Sequence, residues 1–460
     1  MKEPFAPKSA ACLLLAMAIS LSPALAHSAQ PDQTTQAVVV PSKEEVLQLA
    51  RRSGEAQVAQ LQADEAAGRR GTGPDWVSAV FFTGAMKLAT ATDVPKVLDY
   101  SLKAARRFSY AHQGDGAPVH LINADDQAIG DLYQSAFFQT GAPGTLMPLK
   151  QRLDYTLPYL SLAPEPKRLV WWWCDALFMA PPVLARMSAI TGDRRYLDAM
   201  DAQYWRVYDH LYDKDEHLFA RDARFVTRRS PNGRKIFWGR GEGWVIGGLA
   251  RVLEVMPADY PSRPRYVALF RESAKRIISL QHEDGLWGTN LLEPDLIPGP
   301  ETSGSALFTY ALAFGINHGL LDRQTYLSPV LRAWAGLGRH LLPSGILGQV
   351  QTTGDQPVPT RPETTGLYAS GAFLIAGVEV SRLSDAQTPL PVPLPAIPKL
   401  QYRAASWSGA PLPPDATPEQ VRERARVIAE RQAVVDQAFD PMVDDPHYTA
   451  PIPLAAWGTR

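Results

Sequence analysis

The residues best suited to chemistry stand in one run, Trp171-Trp172-Trp173-Cys174-Asp175-Ala176-Leu177-Phe178-Met179. Three indoles precede a single carboxylate. Indole faces are flat, rigid surfaces on which a ring-shaped ligand stacks. A carboxyl pressed against them is desolvated, which raises its pKa and lets it hold a proton near neutral pH. That is the make-up of a general acid in a sugar site. The same residues also read as a helix start, with Asp175 accepting backbone N–H bonds as an N-cap and its pKa lowered. Pro181-Pro182 requires that the helix either begin at the prolines or be distorted near Asp175.

Three further groups bear polar chemistry. Asn123-Ala124-Asp125-Asp126 offers either a helix cap or a second carboxylate, which glycosidic chemistry usually draws from a separate element. Trp238-Gly239-Arg240-Gly241-Glu242-Gly243-Trp244 has three glycines in five residues, suited to a tight turn or a close approach to a ligand. Arg240 presents a planar fork of donors that fits a carboxylate, and Trp238 and Trp244 present stacking faces. A structural turn with Arg240 in an ion pair is the other reading. Glu301-Thr302-Ser303-Gly304-Ser305 reads as a polar loop and helix start, with Ser303 as cap. The nine histidines are scattered and no Cys-x-x-Cys occurs, so zinc spacing is absent. Phosphate-loop, nucleophile-elbow, kinase and dinucleotide fingerprints are absent as well. What is left is the chemistry of carboxylates, arginine and tryptophan.

Positioning these groups falls to helices. Apolar residues at spacings of three and four predict helices over about 44–62, 76–91, 97–110, 128–140, 146–160, 176–191, 194–212, 243–256, 264–281, 303–319, 323–341 and 367–380. Ser42, Thr92 and Ser303 are their candidate caps. Strands are scarce, and Lys235-Ile236-Phe237-Trp238 is a candidate local hairpin. Long links over 213–242 and 282–302 are rich in Gly, Pro, Trp and charge, and long loops in a compact fold carry function. Helix pairs with functional loops at one end predict an all-α fold, an (α/α)6 barrel of six helical hairpins over 44–384. The rival is an open α-solenoid, which the lack of a strict repeat of about 34 or 40 residues disfavours.

The chain has 460 residues, 45% hydrophobic and 20% charged, with a formal net charge of −1. No basic excess points to nucleic acid or to a polybasic membrane anchor. Lys2 and Lys8, the apolar stretch Ala10 to Ser20 and Ala24-Leu25-Ala26 predict a signal peptide over 1–26, cleaved before His27, and hence a secreted or periplasmic protein. Residues 27–43 read as a linker. Of the two cysteines, Cys12 lies in the leader, which leaves Cys174 with no disulfide partner. After Ser384 the chain changes character: a Pro-rich extension over 385–460 carries one charged helix, Thr417 to Gln437.

Taken in order, Trp173-Cys174-Asp175-Ala176-Leu177-Phe178-Met179-Ala180, Thr191-Gly192-Asp193 with Tyr196, Trp238-Gly239-Arg240-Gly241-x-Gly243-Trp244, Gln281-x-x-Asp284-Gly285-Leu286-Trp287 and Glu301-Thr302-Ser303-Gly304-Ser305 resemble glycoside hydrolase family 105 over roughly residues 45–380. These are the unsaturated rhamnogalacturonyl hydrolases and their unsaturated glucuronyl relatives. The resemblance implies removal of a Δ4,5-unsaturated uronic acid from the non-reducing end of oligosaccharides made by polysaccharide lyases. It implies Asp175 as the acid and Asp126 as the second carboxylate, with Asp125 as its alternative by one register. Arg240 and Trp244 match substrate-contacting positions, and Trp173, Trp238, Arg221, Glu242 and Glu301 join them as candidate substrate-binding residues. No metal, cofactor, nucleic acid, membrane insertion or protein partner is implied; the partner is the unsaturated oligosaccharide. Two departures stand out. The family often has Asn where Glu242 stands, so an extra negative charge is expected near the mouth. Many rhamnogalacturonyl members carry His where Arg221 stands, and Arg221 suits a uronate or sulfate, or a pair with Asp222. A hydrolase of saturated uronosides, a lyase on the same barrel, and a non-catalytic carbohydrate-binding protein are the alternatives.

Overall fold

The computed structural model describes residues 39–111, 120, 122–161, 169–385, 389–393, 397–400 and 415–436. The expected leader and most of the linker lie outside the described residues. Inside them the helical reading holds, and two helix starts differ. The first hairpins are α1 (Lys43–Ala66) with α2 (Trp76–Ala91), and α3 (Pro95–Arg107) with α4 (Ala124–Gln127) and α5 (Gly130–Thr140). Then follow α6 (Met147–Leu160), α7 (Ala176–Met179), α8 (Pro181–Thr191), α9 (Arg195–Leu211), α10 (Ala223–Thr227) and α11 (Gly239–Val255). The last are α12 (Arg263–Ile278), α13 (Thr302–Asn317), α14 (Arg323–Arg339), α15 (Leu367–Ser381) and α16 (Pro418–Asp436).

Neighbour relations close these helices into a double ring. The inner helices α2, α5, α8, α11, α13 and α15 pack each on the next, and α15 returns to α2. The outer helices α1, α3, α6, α9, α12 and α14 back onto them. The split shows in composition. Every residue of α11 and α13 is buried, whereas α3 and α12 bury one face and turn charge outward. This is the (α/α)6 barrel, and its closure rules out an open solenoid.

Local chemistry explains the differences from the periodic pattern. Ser42 caps α1 in a capping box with Glu45. Thr92 does not start a helix; it ends α2, and α3 starts at Pro95 without a side-chain cap. The stretch 176–191 is two helices, because Pro181 and Pro182 lack N–H groups and restart the chain as the first turn of α8. The Gly-rich run 239–243 is not a turn. It is the first turn of α11, and a Cβ at Gly239 would overlap the Gly288 carbonyl. Lys235–Trp238 forms isolated bridges rather than a hairpin; among the described residues the two-stranded pair is β1 (Tyr212–Asp213) with β2 (Leu218–Phe219).

The two ends of the barrel differ. A buried ion-pair network runs from the head of α5 to the C-terminal ends of α2 and α11. Asp131 accepts from Arg186 at 2.6 Å and from Arg251 at 2.7 Å, and Glu254 pairs with Lys87. Burial alone would raise the Glu254 carboxyl, but Lys87 and Arg186 more than offset it and hold it at about 2. Leu390 and Leu400 of the Pro-rich extension fasten to the C-terminal ends of the inner helices α13 and α8. Leu390 N donates to Asn317 O at 2.8 Å and Leu400 N to Ile190 O at 3.1 Å. The N-terminal ends of the inner helices stay open as the other mouth.

Ring closure depends on backbone contact between α2 and α15. A Cβ at Gly371 would overlap the Val80 carbonyl oxygen, and one at Gly84 would overlap the Gly371 carbonyl oxygen. Gly371→Ala is expected to destabilise the fold by about 1–3 kcal/mol or more, since a backbone atom cannot move aside as a side chain can. Denaturant unfolding measures it; a midpoint unchanged from the parent would contradict this packing.

Candidate active site

At the open mouth lies a cavity of about 210 Å³. Asp125 reaches it from α4, Trp173 and Asp175 from the segment before α7, and Arg221 from the link after β2. Trp238, Arg240 and Trp244 come from the start of α11, Trp76 from the start of α2, and Thr353 to Asp355 form the rim. The inner helices point their N-termini this way, and the positive ends of their dipoles favour an anionic ligand.

The three indoles take separate tasks. Trp171 is core: it is fully buried and its Nε1 donates to Ile122 O at 3.3 Å. Trp172 lies under the Arg221 guanidinium, 5.2 Å from ring centroid to charge. Trp173 forms cavity wall. Asp175 follows with helical dihedrals, φ −60° and ψ −30°, and its side chain makes no capping hydrogen bond. It is 8% exposed. Burial pushes its carboxyl up, and the charges of Arg221 and Arg240 pull part of the way back. The Cys174 thiol lies 3.6 Å from Asp175 Oδ2. The cap reading of Asp175 is therefore not what the structure holds.

Two observations separate Asp125 from Asp126. Asn123, not an aspartate, caps α4, through Asp125 N at 2.9 Å. Asp125 opens into the cavity, and its carboxyl is pushed up to about 7, first by burial and then by Asp175. Asp126 does not line the cavity. It is buried against His120, whose Nδ1 is 3.6 Å away, and its carboxyl is raised to about 6 by burial with His120 and Arg152 opposing. Adjacent helical residues point about 100° apart, so one faces the cavity and the other turns away. Of the two expected carboxylates, Asp125 lines the cavity together with Asp175, and Asp126 does not.

Arg240 and Trp244, one helical turn apart, both face the cavity. Arg240 is 1% exposed and makes no ion pair among the described residues. Its Nη1 and Nη2 donate to the carbonyls of Gln351 and Thr352 at 2.7 and 2.9 Å, which holds the rim loop. Trp238 holds the same loop through Gln351 Oε1 at 2.8 Å. Glu301 is not in the cavity. It caps α13 through Ser303 N and Gly304 N, at 3.0 and 2.7 Å, and accepts from Gln351 N at 3.1 Å. The cap expected of Ser303 belongs to Glu301. Glu242 does not line the cavity either: two residues from Arg240, it accepts from Phe219 N.

Arg221 sits between carboxyls. Its Nη1 donates to Asp222 at 2.8 Å, and its Nε lies 3.4 Å from Asp175 Oδ2. Asp222 also pairs with Arg224, which pairs onward with Asp355 at the rim. Periodicity did not mark Trp76, Arg224 or Asp355 as site residues: Trp76 and Asp355 reach the cavity from elements far from Asp175 in sequence, and Arg224 acts through Asp222. Among the described residues no group of three His, Cys, Asp or Glu is placed to hold a metal.

Glu242 generates a pH prediction. Burial raises its carboxyl well above the usual range, with the Phe219 amide opposing. A carboxyl raised in the folded state contributes full stability below its unfolded pKa and loses it as pH rises toward the folded value. Glu242→Gln keeps an acceptor for Phe219, so its stability gain over the parent should grow above about pH 4.5, by up to about 1.4 kcal/mol per pH unit. Unfolding at a series of pH values measures it; a difference independent of pH would contradict the placement.

The family model for Glycosyl Hydrolase Family 88 matches residues 50–384. An unsaturated 3S-rhamnoglycuronyl hydrolase of Formosa agariphila is 40% identical over 326 residues, 68% of this chain and 85% of that protein. A solved glycosyl hydrolase family 88 structure from Bacteroides vulgatus superposes with a TM-score of 0.67 at 27% identity, over 74% of this chain and 99% of that one. A solved structure named as a polysaccharide lyase is similar too, with a TM-score of 0.68 at 28% identity, over 76% of this chain and 99% of that one. The family match spans the double ring and every residue lining its open mouth, and the chain belongs to Glycosyl Hydrolase Family 88 and is a glycoside hydrolase.

Proposed function

We propose that the protein is an exo-acting hydrolase that removes a Δ4,5-unsaturated uronic acid from the non-reducing end of lyase-made oligosaccharides. The observation that carries this reading is the pair Asp175 and Asp125. Both carboxyls are raised by burial, and both open into one Trp-walled cavity ringed by arginines. A raised carboxyl is a proton donor at neutral pH, and a positive surround suits a uronate. The relative from Formosa agariphila, named for an unsaturated uronyl substrate, supports it.

In this reaction Asp175 gives its proton to carbon 4 of the enol ether, and positive charge develops at carbon 5 and the ring oxygen. Water adds at carbon 5 as Asp125 takes its proton. The resulting hemiketal opens to a ketone at carbon 5, and the hemiacetal left at carbon 1 collapses and releases the rest of the chain. Asp175 thus donates a proton and Asp125 accepts one. Activity should fall as pH rises and the donor ionises.

The conjugated enol ether absorbs in the ultraviolet, so its depletion reports turnover of lyase-made disaccharides. Asp175→Asn and Asp125→Asn should each lower kcat by about 10²–10⁴-fold, whereas Asp126→Asn should stay within about tenfold of the parent. Rising absorbance on intact polysaccharide would mark a lyase, and release of saturated uronic acid an ordinary uronosidase. Either outcome, or full activity in Asp175→Asn, defeats the reading.

We further propose export, on the strength of Lys2, Lys8, the apolar stretch to Ser20 and the Ala24-Leu25-Ala26 site. Expression of the full chain in a Gram-negative host should yield a product beginning near His27 in the periplasmic fraction. An intact N-terminus in the cytosol would contradict it.

A further inference from the structure

Arg221 faces two carboxyls and hydrogen-bonds one. Its Nη1 donates to Asp222 at 2.8 Å, while its Nε, 3.4 Å from Asp175 Oδ2, makes no hydrogen bond there. Asp222 is wholly buried and is itself held from the other side, by Arg224 N and Nε at 3.0 Å and Nη2 at 2.7 Å. Trp172 supports the flat face of Arg221. The Arg221 carbonyl accepts from Cys174 N at 2.8 Å, and Trp173 bridges to Asp222, so this strand of charge is pinned to the backbone that carries Asp175. A charge-assisted hydrogen bond is roughly twice as strong as a neutral one, and Arg221 makes one with Asp222 while its contact with Asp175 stays an offset ion pair.

We propose that Asp222 is a positioning residue for the acid: by holding the Arg221 guanidinium in a hydrogen bond, it prevents that cation from closing onto Asp175 and leaves Asp175 able to donate its proton. This rests on the reading of Asp175 as the acid. The other groups facing Asp175 do not substitute for Asp222. Asp125, from α4, repels a second negative charge. Cys174 is a buried thiol whose pKa is pushed up. Arg240, from α11, is tied to two carbonyls and cannot swing. Arg224 and Asp355 stand behind Asp222. Arg221 is the cation whose distance to the acid is set by a neighbouring carboxylate.

The test is the alkaline limb of the pH profile of kcat/KM on an unsaturated disaccharide. In Asp222→Asn, Arg221 loses its charged partner and pairs with Asp175, so the limb should move down by about one pH unit or more. Arg221→Gln removes the cation without touching Asp222 and should move the limb up. A uniform loss of rate at all pH values in Asp222→Asn, with the limb in place, would make Asp222 merely structural and overturn the proposal. So would an unmoved limb in Arg221→Gln, which decides the matter if Asp222→Asn does not fold. Infrared titration of the Asp175 carboxyl, assigned by its loss in Asp175→Asn, reads the same shifts without substrate. If the parent protein leaves unsaturated disaccharides intact, the functional reading fails while this titration still decides the role of Asp222.

Discussion

A carboxyl taken out of water without a cation hydrogen-bonded to it is costly to ionise, and the open end of this barrel is arranged around one such group. Asp175 is buried, makes no capping bond, and has its nearest cation offset at 3.4 Å. Were Arg221 bonded to it directly, the pair would favour the ionised form and the proton would leave. Asp222 and Arg224, from a link that the sequence pattern leaves irregular, and Trp172, from beside the acid, hold Arg221 where it is. The charge needed to attract a uronate is thereby kept beside the acid without neutralising its chemistry.

The double ring supplies the rigidity this balance requires. Inner helices pack at glycine contacts and are locked to one another by the Asp131 and Glu254 ion pairs. Their N-termini converge on the cavity, so residues distant in sequence arrive as neighbours: Asp125 ahead of α5, Asp175 ahead of α8, and Arg240 at the head of α11. The rim loop is fastened to the same helix heads through Arg240, Trp238 and Glu301. Glu301 and Glu242 thus act on the site through architecture, by holding Gln351 and Phe219, rather than by contact with a sugar.

Much of this was legible in the chain. Helices over 43–381 follow apolar periodicity because each hides one face or all faces in a layered core, and a closed ring is the arrangement that satisfies every pair. The Trp-Asp run and the Arg240 segment were identifiable by residue type. What periodicity does not carry is the direction of a side chain at a helix end. Asp125 and Asp126 differ by one position and face opposite ways. Glu242 differs from Arg240 by two and leaves the cavity altogether. Ser303 resembles a cap, yet Glu301 reaches the same amides with a longer arm and adds a bond to Gln351. The pairing of Arg224 with Asp355 spans a separation that no local pattern encodes.

Delivery of the Asp175 proton to carbon, rather than to a glycosidic oxygen, is read by turnover of an unsaturated disaccharide in deuterium oxide, quenched early and followed by nuclear magnetic resonance, with isolated product incubated alongside to control for exchange. One deuteron bound to carbon 4, in a single configuration, is expected. Release of the aglycone with carbon 4 unlabelled and the double bond retained would contradict it.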